Sequence, residues 1–532
     1  VAGDTVTGNG VLGNSLHSNT SLGLNLGYDG VTTNNGSVGT GANSGMDYPV
    51  ITSASVSGGI LNVTGYVGSA ANQSTFANTR VEFFKSSADS SGYGEGQTFV
   101  GYLTTDASGN FNGSLPGFGL VSGDQLTATA TDSGNNTSEF GPNFQIPIIF
   151  SAFLPTIRAD QLSLDGSGVT VAVIDSGINY HEDFTTANWN WRIMESMNFT
   201  SGNSDDKYGH GTHVAGIIAG NGAMSNGEYK GVAPGANLVS LKISDKDGMT
   251  YESTVVDALQ WVYDNKDTYN IKVVNLSLNS TVAQSYHTSP LCAAVEILWF
   301  NGIVVVVSAG NNGNSNGSEP DILYPPANDP FVITVGATED KGTGDLTDDT
   351  LAIFSAFGTT EDGFAKPDLV APGRNLVAPL SDKASTVYTA HPLHRVGDYY
   401  FRMSGTSMSA PVVTGAVALL LQDEPNLNPD QVKYRLMVTA NTTWSGYSAS
   451  QSGAGHLDIF AAVNGTSTET ANTGIFASQL LSTGSEPIIW GSAGWNSAGW
   501  NTAGWNSVGW NSAGWNSAGW NTAGWNSGIW DN

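Results

Sequence analysis

Cysteine is nearly absent from this 532-residue chain, with Cys292 the only one. An intramolecular disulfide is thereby excluded. The thiol lies in an apolar run over 292–298 that reads as helical, so it is expected as a buried structural side chain and not as a nucleophile. Charge is scarce as well: 12% of residues are charged, and 18 Lys and Arg stand against 46 Asp and Glu, for a net charge of −28. A phosphate backbone needs a basic surface, so nucleic acid is excluded as a partner, and docking on anionic lipid is excluded with it. Such acidity suits solubility in a salty or calcium-containing medium. No apolar run reaches the ~20 residues of a membrane-spanning helix.

What the chain has in plenty is glycine, 67 residues of it, together with Ser, Asn and Thr, a mixture that fits an exported, β-rich and loop-rich protein. The chain begins at Val1 without Met or a signal sequence, as a processed or truncated start would, so a secreted or cell-surface location is inferred and not read directly. Its length calls for two or more domains. Residues 1–48 are Gly/Asn-rich with short Val and Leu alternations and are expected to form the last coils of a parallel β-helix; a flexible linker shares that composition. Residues 49–148 carry alternating strand-sized runs at 60–67, 79–85, 98–104 and 124–131 between turn residues, the pattern of an Ig-like antiparallel β-sandwich. This stretch holds no catalytic constellation and reads as a spacer or binding module.

Residues 150–465 change character. Continuous apolar runs at 169–174, 271–276, 303–307 and 331–335 alternate with helix-length segments such as 254–265, which predicts an α/β domain with a parallel sheet flanked by helices. A linker is expected over 466–489. From Trp490 to Trp530 a tryptophan returns every fifth residue, and nine of the 14 tryptophans lie there. Period five scatters the rings over both faces of a strand, so short solenoid coils or a disordered, sticky tail both fit 490–532. Contact with glycan, cell surface or another chain is the partner role that these tryptophans suggest.

Ligands of an α/β sheet gather at the carboxyl ends of its strands. Asp175 ends the apolar run 169–174. His210 opens an expected helix after a polar loop. Asn311 follows the run 303–307, and Ser407 immediately precedes an apolar helix that runs to Leu421. The blocks Val173-Ile174-Asp175-Ser176-Gly177, His210-Gly211-Thr212-His213-Val214-Ala215-Gly216, Ser308-Ala309-Gly310-Asn311 and Gly405-Thr406-Ser407-Met408-Ser409-Ala410-Pro411 resemble those of the subtilisin-like serine proteases, in that family's order. The resemblance covers roughly 156–462. It implies a secreted serine endopeptidase with Asp175, His210 and Ser407 as triad and Asn311 as oxyanion donor, acting on protein or peptide substrates with no catalytic cofactor.

The chemistry accounts for each residue type. A serine hydroxyl is a weak nucleophile until a base takes its proton, and histidine is the base poised near neutral pH. An aspartate on the far imidazole nitrogen fixes the tautomer and stabilises the imidazolium. Losing an oxyanion donor such as Asn311 costs about 3–4 kcal/mol, a magnitude measured on a subtilisin and not worked out from this sequence. His213 and Ser409, close to the expected base and nucleophile, read as structural, and the acids Asp205 and Asp206 as a solvated loop. The resemblance further places Ser277, Leu278 and Asn279 along the substrate strand, with Asn279 where glycine is common on the pocket wall and Leu323 near an apolar pocket base. It also implies structural calcium, with Asp183 as a ligand and the longer loop 221–228 opposite it. No zinc-type His or Cys spacing is present.

Overall fold

In the computed structural model, residues 6–19, 22–27, 30–57, 60–86, 91–118, 120, 124–146, 152–313, 322–481 and 522–524 are described. The chain divides into two units between Ile149 and Phe150.

The first unit holds two antiparallel sheets. Pro49–Ser57, Ile60–Val67 and Asn110–Pro116 pair in that order; Gly96–Thr104, Arg80–Ser86, Gln125–Thr131 and Phe144–Gln145 make the other. Alternation turns Leu61, Val63 and Val67 inward, where they join Phe83, Phe111, Leu126 and Ala128 in one apolar cluster drawn from both sheets. The β-helix coils expected over 1–48 do not form: none of the described residues before Pro49 lies in a strand. Stacked coils would satisfy one another's amides, whereas here carboxylates do so. Glu139 accepts from the Leu26 and Thr32 amides at 2.7 Å each, Glu82 from Gly13, and Asp47 from Asn35 and Gly36.

The second unit is built on an eight-stranded sheet. From edge to edge it runs Thr350–Leu351, Ile333–Glu339, Val304–Ser308, Ile271–Leu276, Thr170–Asp175, Asn237–Lys242 and Ile193–Asn198, with Leu369–Pro372 also paired to Ile333–Glu339. Thr350–Leu351 is antiparallel to its neighbour, and the other pairs are parallel. Parallel strands covered on both faces read as unbroken β-branched runs, and every residue of Thr170–Asp175 and Val304–Ser308 is buried. The helix Thr406–Asp423 packs across the middle strands, and Glu252–Asn265 packs with Pro290–Phe300. Cys292 is buried in the latter helix, and burial pushes its thiol well up.

From Thr170–Asp175 the chain first builds one side of the sheet, then crosses to build the other from Ile271–Leu276 onward. Those two neighbouring strands flank the point where the strand order reverses, so a crevice opens at their carboxyl ends. Part of the expected linker belongs to this unit. Ala477, Ser478 and Leu481 are buried, and the Ser478 amide donates to buried Glu296 at 2.8 Å. The remainder of the linker and the Trp repeat lie outside the described residues, except Thr522–Gly524. That segment is the middle strand of a small antiparallel sheet, between Met249–Tyr251 and Asn279–Ser280.

Candidate active site

Asp175 is the last residue of a fully buried strand, and its carboxylate is withdrawn from solvent. A buried carboxylate must be met by donors. The Ser176 amide donates to Oδ1 at 2.7 Å, and His210 Nδ1 lies 2.9 and 3.0 Å from the two carboxylate oxygens. Burial pushes the Asp175 carboxyl upward, and the neighbouring His210 and the Ser176 amide pull against it. With its Nδ1 proton committed to Asp175, the neutral His210 carries its lone pair on Nε2.

His210 is held by the start of its own helix, His210–Ala219. Asp206, expected in a solvated loop, is fully buried beneath that helix end. Its oxygens accept from the amides of Gly209 at 2.7 Å and Thr212 at 2.9 Å, and from the hydroxyls of Thr212 at 2.7 Å and Ser176 at 2.8 Å. An acid at a helix N-terminus satisfies orphan amides and complements the dipole. Ser176 in turn accepts from the Gly211 amide at 2.9 Å, which ties the Asp175 strand to the His210 helix. Asp205 does remain exposed, paired with Lys207 at 3.0 Å. His213 donates through Nε2 to the Leu376 and Phe401 carbonyls at 3.2 and 2.9 Å, and burial holds its pKa down at about 3.

Ser407 is the second residue of the helix Thr406–Asp423, one turn before Pro411. Proline has no N–H, so the Ser407 carbonyl loses its intrahelical donor. The Ser277 hydroxyl replaces it at 2.9 Å, while the Ser407 hydroxyl donates to the Ser277 carbonyl at 3.1 Å. The two serines hold each other reciprocally. Ser277 also accepts from Asn275 Nδ2 at 3.0 Å, and Asn275 Oδ1 accepts from Thr414, two turns along the same helix, at 2.8 Å. Helix and strand end are thereby locked in register.

Asn311 Oδ1 accepts from the Thr406 amide at 2.9 Å and from its hydroxyl at 3.0 Å. This fixes the amide plane and turns Nδ2 the other way, toward Gly405. Gly405 has φ 151, and a Cβ there would sit 3.2 Å from Asn311 Nδ2, so a side chain would crowd the amide.

The profile of the Subtilase family matches residues 166–482, most of the second unit. This chain belongs to the subtilase family. Serine protease AprX of Bacillus subtilis (strain 168) is 38% identical over 310 residues, 57% of this chain and 68% of that protein. Subtilisin DY of Bacillus licheniformis is 33% identical over 293 residues, 54% of this chain and 90% of that protein. A solved cold-adapted subtilisin-like serine proteinase shares 30% identity over 56% of this chain and 89% of its own, with a TM-score of 0.41. The chain is a subtilisin-like serine protease, and its substrates are proteins.

In this subtilase Asn279 is buried: Nδ2 donates to the Ser308 carbonyl at 3.1 Å, and Oδ1 has no partner. Leu278 is buried beside it. Leu323 is half-buried, and its carbonyl accepts from the Gln284 amide at 3.3 Å.

The residues around Asp183 do not fit calcium. Its carboxylate is addressed by donors: the Met224 amide at 3.0 Å and the Tyr400 hydroxyl at 2.9 Å. Beside it, the Arg192 guanidinium donates to the Asp183, Ala219 and Ala236 carbonyls at 2.8, 2.6 and 2.6 Å. Burial lowers the Arg192 pKa only to about 10, so the cation persists at neutral pH. A fixed organic cation thus stands beside Asp183, and among the described residues no cluster of three His, Cys, Asp or Glu gathers as a metal site. Sequence reasoning also missed Ser176, Asn275, Thr406 and Thr414, each of which bonds a residue distant in sequence.

Proposed function

We propose that this subtilase is a secreted endopeptidase in which Asp175, His210 and Ser407 form the catalytic triad and Asn311 donates to the oxyanion. The observation that carries this reading is the Nδ1 of His210 resting on both oxygens of buried Asp175, in the unit where Ser407 is pinned at a helix N-terminus. His210 Nε2 takes the Ser407 proton as Oγ attacks the scissile carbonyl carbon. Asn311 Nδ2 and the N-terminal amides of the helix stabilise the oxyanion. The tetrahedral intermediate collapses with cleavage of the C–N bond, and the proton passes from His210 to the leaving amine. Water then attacks the acyl-enzyme by the same relay and frees Ser407. None of these steps needs a metal.

An extended substrate pairs its backbone along Ser277, Leu278 and Asn279, with Asn279 on the wall of the primary pocket and Leu323 toward its base. The Asn279 side chain, buried and held on the Ser308 carbonyl at 3.1 Å where glycine is common, narrows the pocket and favours a narrow specificity. Secretion rests on the low charged fraction together with the abundance of Gly, Ser, Asn and Thr. Labelling by an active-site fluorophosphonate tests the triad. The parent chain labels and Ser407→Ala does not; equal labelling of both would remove Ser407 from its role. A peptide library tests the pocket: one preferred motif that broadens in Asn279→Gly supports narrow processing, and scattered cuts in the parent remove it.

A further inference from the structure

Two short strands of the second unit, Met249–Tyr251 and Asn279–Ser280, share the partner that lies between them, and among the described residues neither pairs with any other strand. That partner is Thr522–Gly524, taken from the period-five repeat. It runs antiparallel to both. Gly524 stands opposite Met249 on one side and Asn279 on the other, and Ala523 opposite Thr250 and Ser280. Asn279 is two residues from Ser277, whose carbonyl accepts the Ser407 hydroxyl at 3.1 Å, so this sheet borders the nucleophile. An extended segment inserted between two open edges satisfies backbone groups that those edges otherwise leave unpaired.

We propose that the chain's own C-terminal repeat is an intramolecular ligand of the substrate edge, occupying as a Ser/Thr-Ala-Gly strand the place where protein substrates pair. This rests on the reading that substrates bind along Ser277, Leu278 and Asn279. The repeat suits such a ligand. Alanine and glycine bring almost no side chain, so the segment binds through its backbone and holds the edge weakly enough to be displaced. The triplet recurs at 492–494, 497–499, 502–504, 512–514 and 517–519, which gives several equivalent registers five residues apart. About 40 residues of chain tether Thr522 to Leu481. Such tethering gives an effective concentration in the millimolar range, enough for a weak strand to compete in cis while the free peptide does so poorly.

The equivalent registers dictate the experiment, because Ala523→Pro alone would be rescued by a five-residue slip. The informative full-length variant replaces Ala493, Ala498, Ala503, Val508, Ala513, Ala518 and Ala523 with proline, which removes the ladder amide in every copy. For a fluorogenic peptide covering the residues before the scissile bond, the variant's KM is expected to fall about tenfold with kcat unchanged. A synthetic Asn-Thr-Ala-Gly-Trp-Asn-Ser peptide added to the variant restores the higher KM competitively. Fragments cut within the repeat by the parent, and absent in Ser407→Ala, also support occupancy. Equal KM in variant and parent, with both labelled by fluorophosphonate, overturns the proposal and leaves the protease reading intact; failure of both to label removes that reading and the proposal with it. A KM in the parent that rises with protein concentration places the tail in a neighbouring molecule and overturns the intramolecular assignment.

Discussion

The reciprocal bond between Ser277 and Ser407 makes a quantitative demand on the fold. In Ser277→Ala the Ser407 carbonyl, four residues before Pro411, loses the hydroxyl 2.9 Å away and has no helical amide to replace it. An unsatisfied buried carbonyl costs about 1–3 kcal/mol, and Asn275 Nδ2 loses its 3.0 Å acceptor for about 1 kcal/mol more. The expected loss of about 2–4 kcal/mol lowers the melting temperature of a unit this size by roughly 3–6 °C. Pro411→Ala restores an amide at the position that faces the Ser407 carbonyl. In that background Ser277→Ala should cost only about 1 kcal/mol, leaving a coupling of about 1–3 kcal/mol between two residues that do not bond to each other. The assay is chemical denaturation of all four proteins with Ser407→Ala included throughout, which suppresses autolysis and keeps the residue-407 carbonyl. Additive costs would refute the claim that Ser277 substitutes for the missing helical donor.

The remaining predictions concern the supports of the site. Asp206→Ala strands four donors beneath the His210 helix and should cost about 3–5 kcal/mol with a fall in kcat, whereas exposed Asp205→Ala stays within about 0.5 kcal/mol; equal effects in thermal melts would deny Asp206 its capping role. Arg192→Met should lower the melting temperature, and millimolar calcium should leave the parent's unmoved through this loop; a parent that gains stability with calcium while Asp183→Asn does not would restore the metal reading. His213 and His456 are held by burial at about 3 and about 4, below the ordinary 6.5, so the folded state binds fewer protons than the unfolded one. The stability this represents is fully present above about pH 6.5 and is lost as pH falls through about 4 for His456 and about 3 for His213, and His213→Gln should flatten that slope in melts across pH.

How much was legible in the sequence depended on whether a residue's partner was near it. Ile271–Leu276 is bounded as its apolar run predicts, and the runs 169–174 and 303–307 shift by one residue, because doubly covered parallel strands announce themselves without knowledge of their neighbours. The same composition logic failed over 1–48, where irregular chain held by Glu82 and Glu139 looks like β-helix coils until those distant carboxylates are in place. Asp206 reads as a loop acid because its burial depends on Ser176 and Thr212 arriving from two other elements. The domain end was placed too early for a similar reason, since Ala477 and Leu481 are apolar residues in polar company whose burial shows only once the rest of the unit surrounds them. At Asp183 the resemblance implies a calcium ligand, whereas the cation beside it is the guanidinium of Arg192, nine residues on, which donates to the Asp183 carbonyl at 2.8 Å.

The most direct test of the whole account is fluorophosphonate labelling of the full chain beside Ser407→Ala and His210→Ala. The account predicts a labelled parent, no adduct in Ser407→Ala, and a labelling rate lowered by about 10²-fold or more in His210→Ala, where the hydroxyl has lost its base. An adduct that persists in Ser407→Ala, or a rate indifferent to His210, would contradict the assignment of these two residues as nucleophile and base.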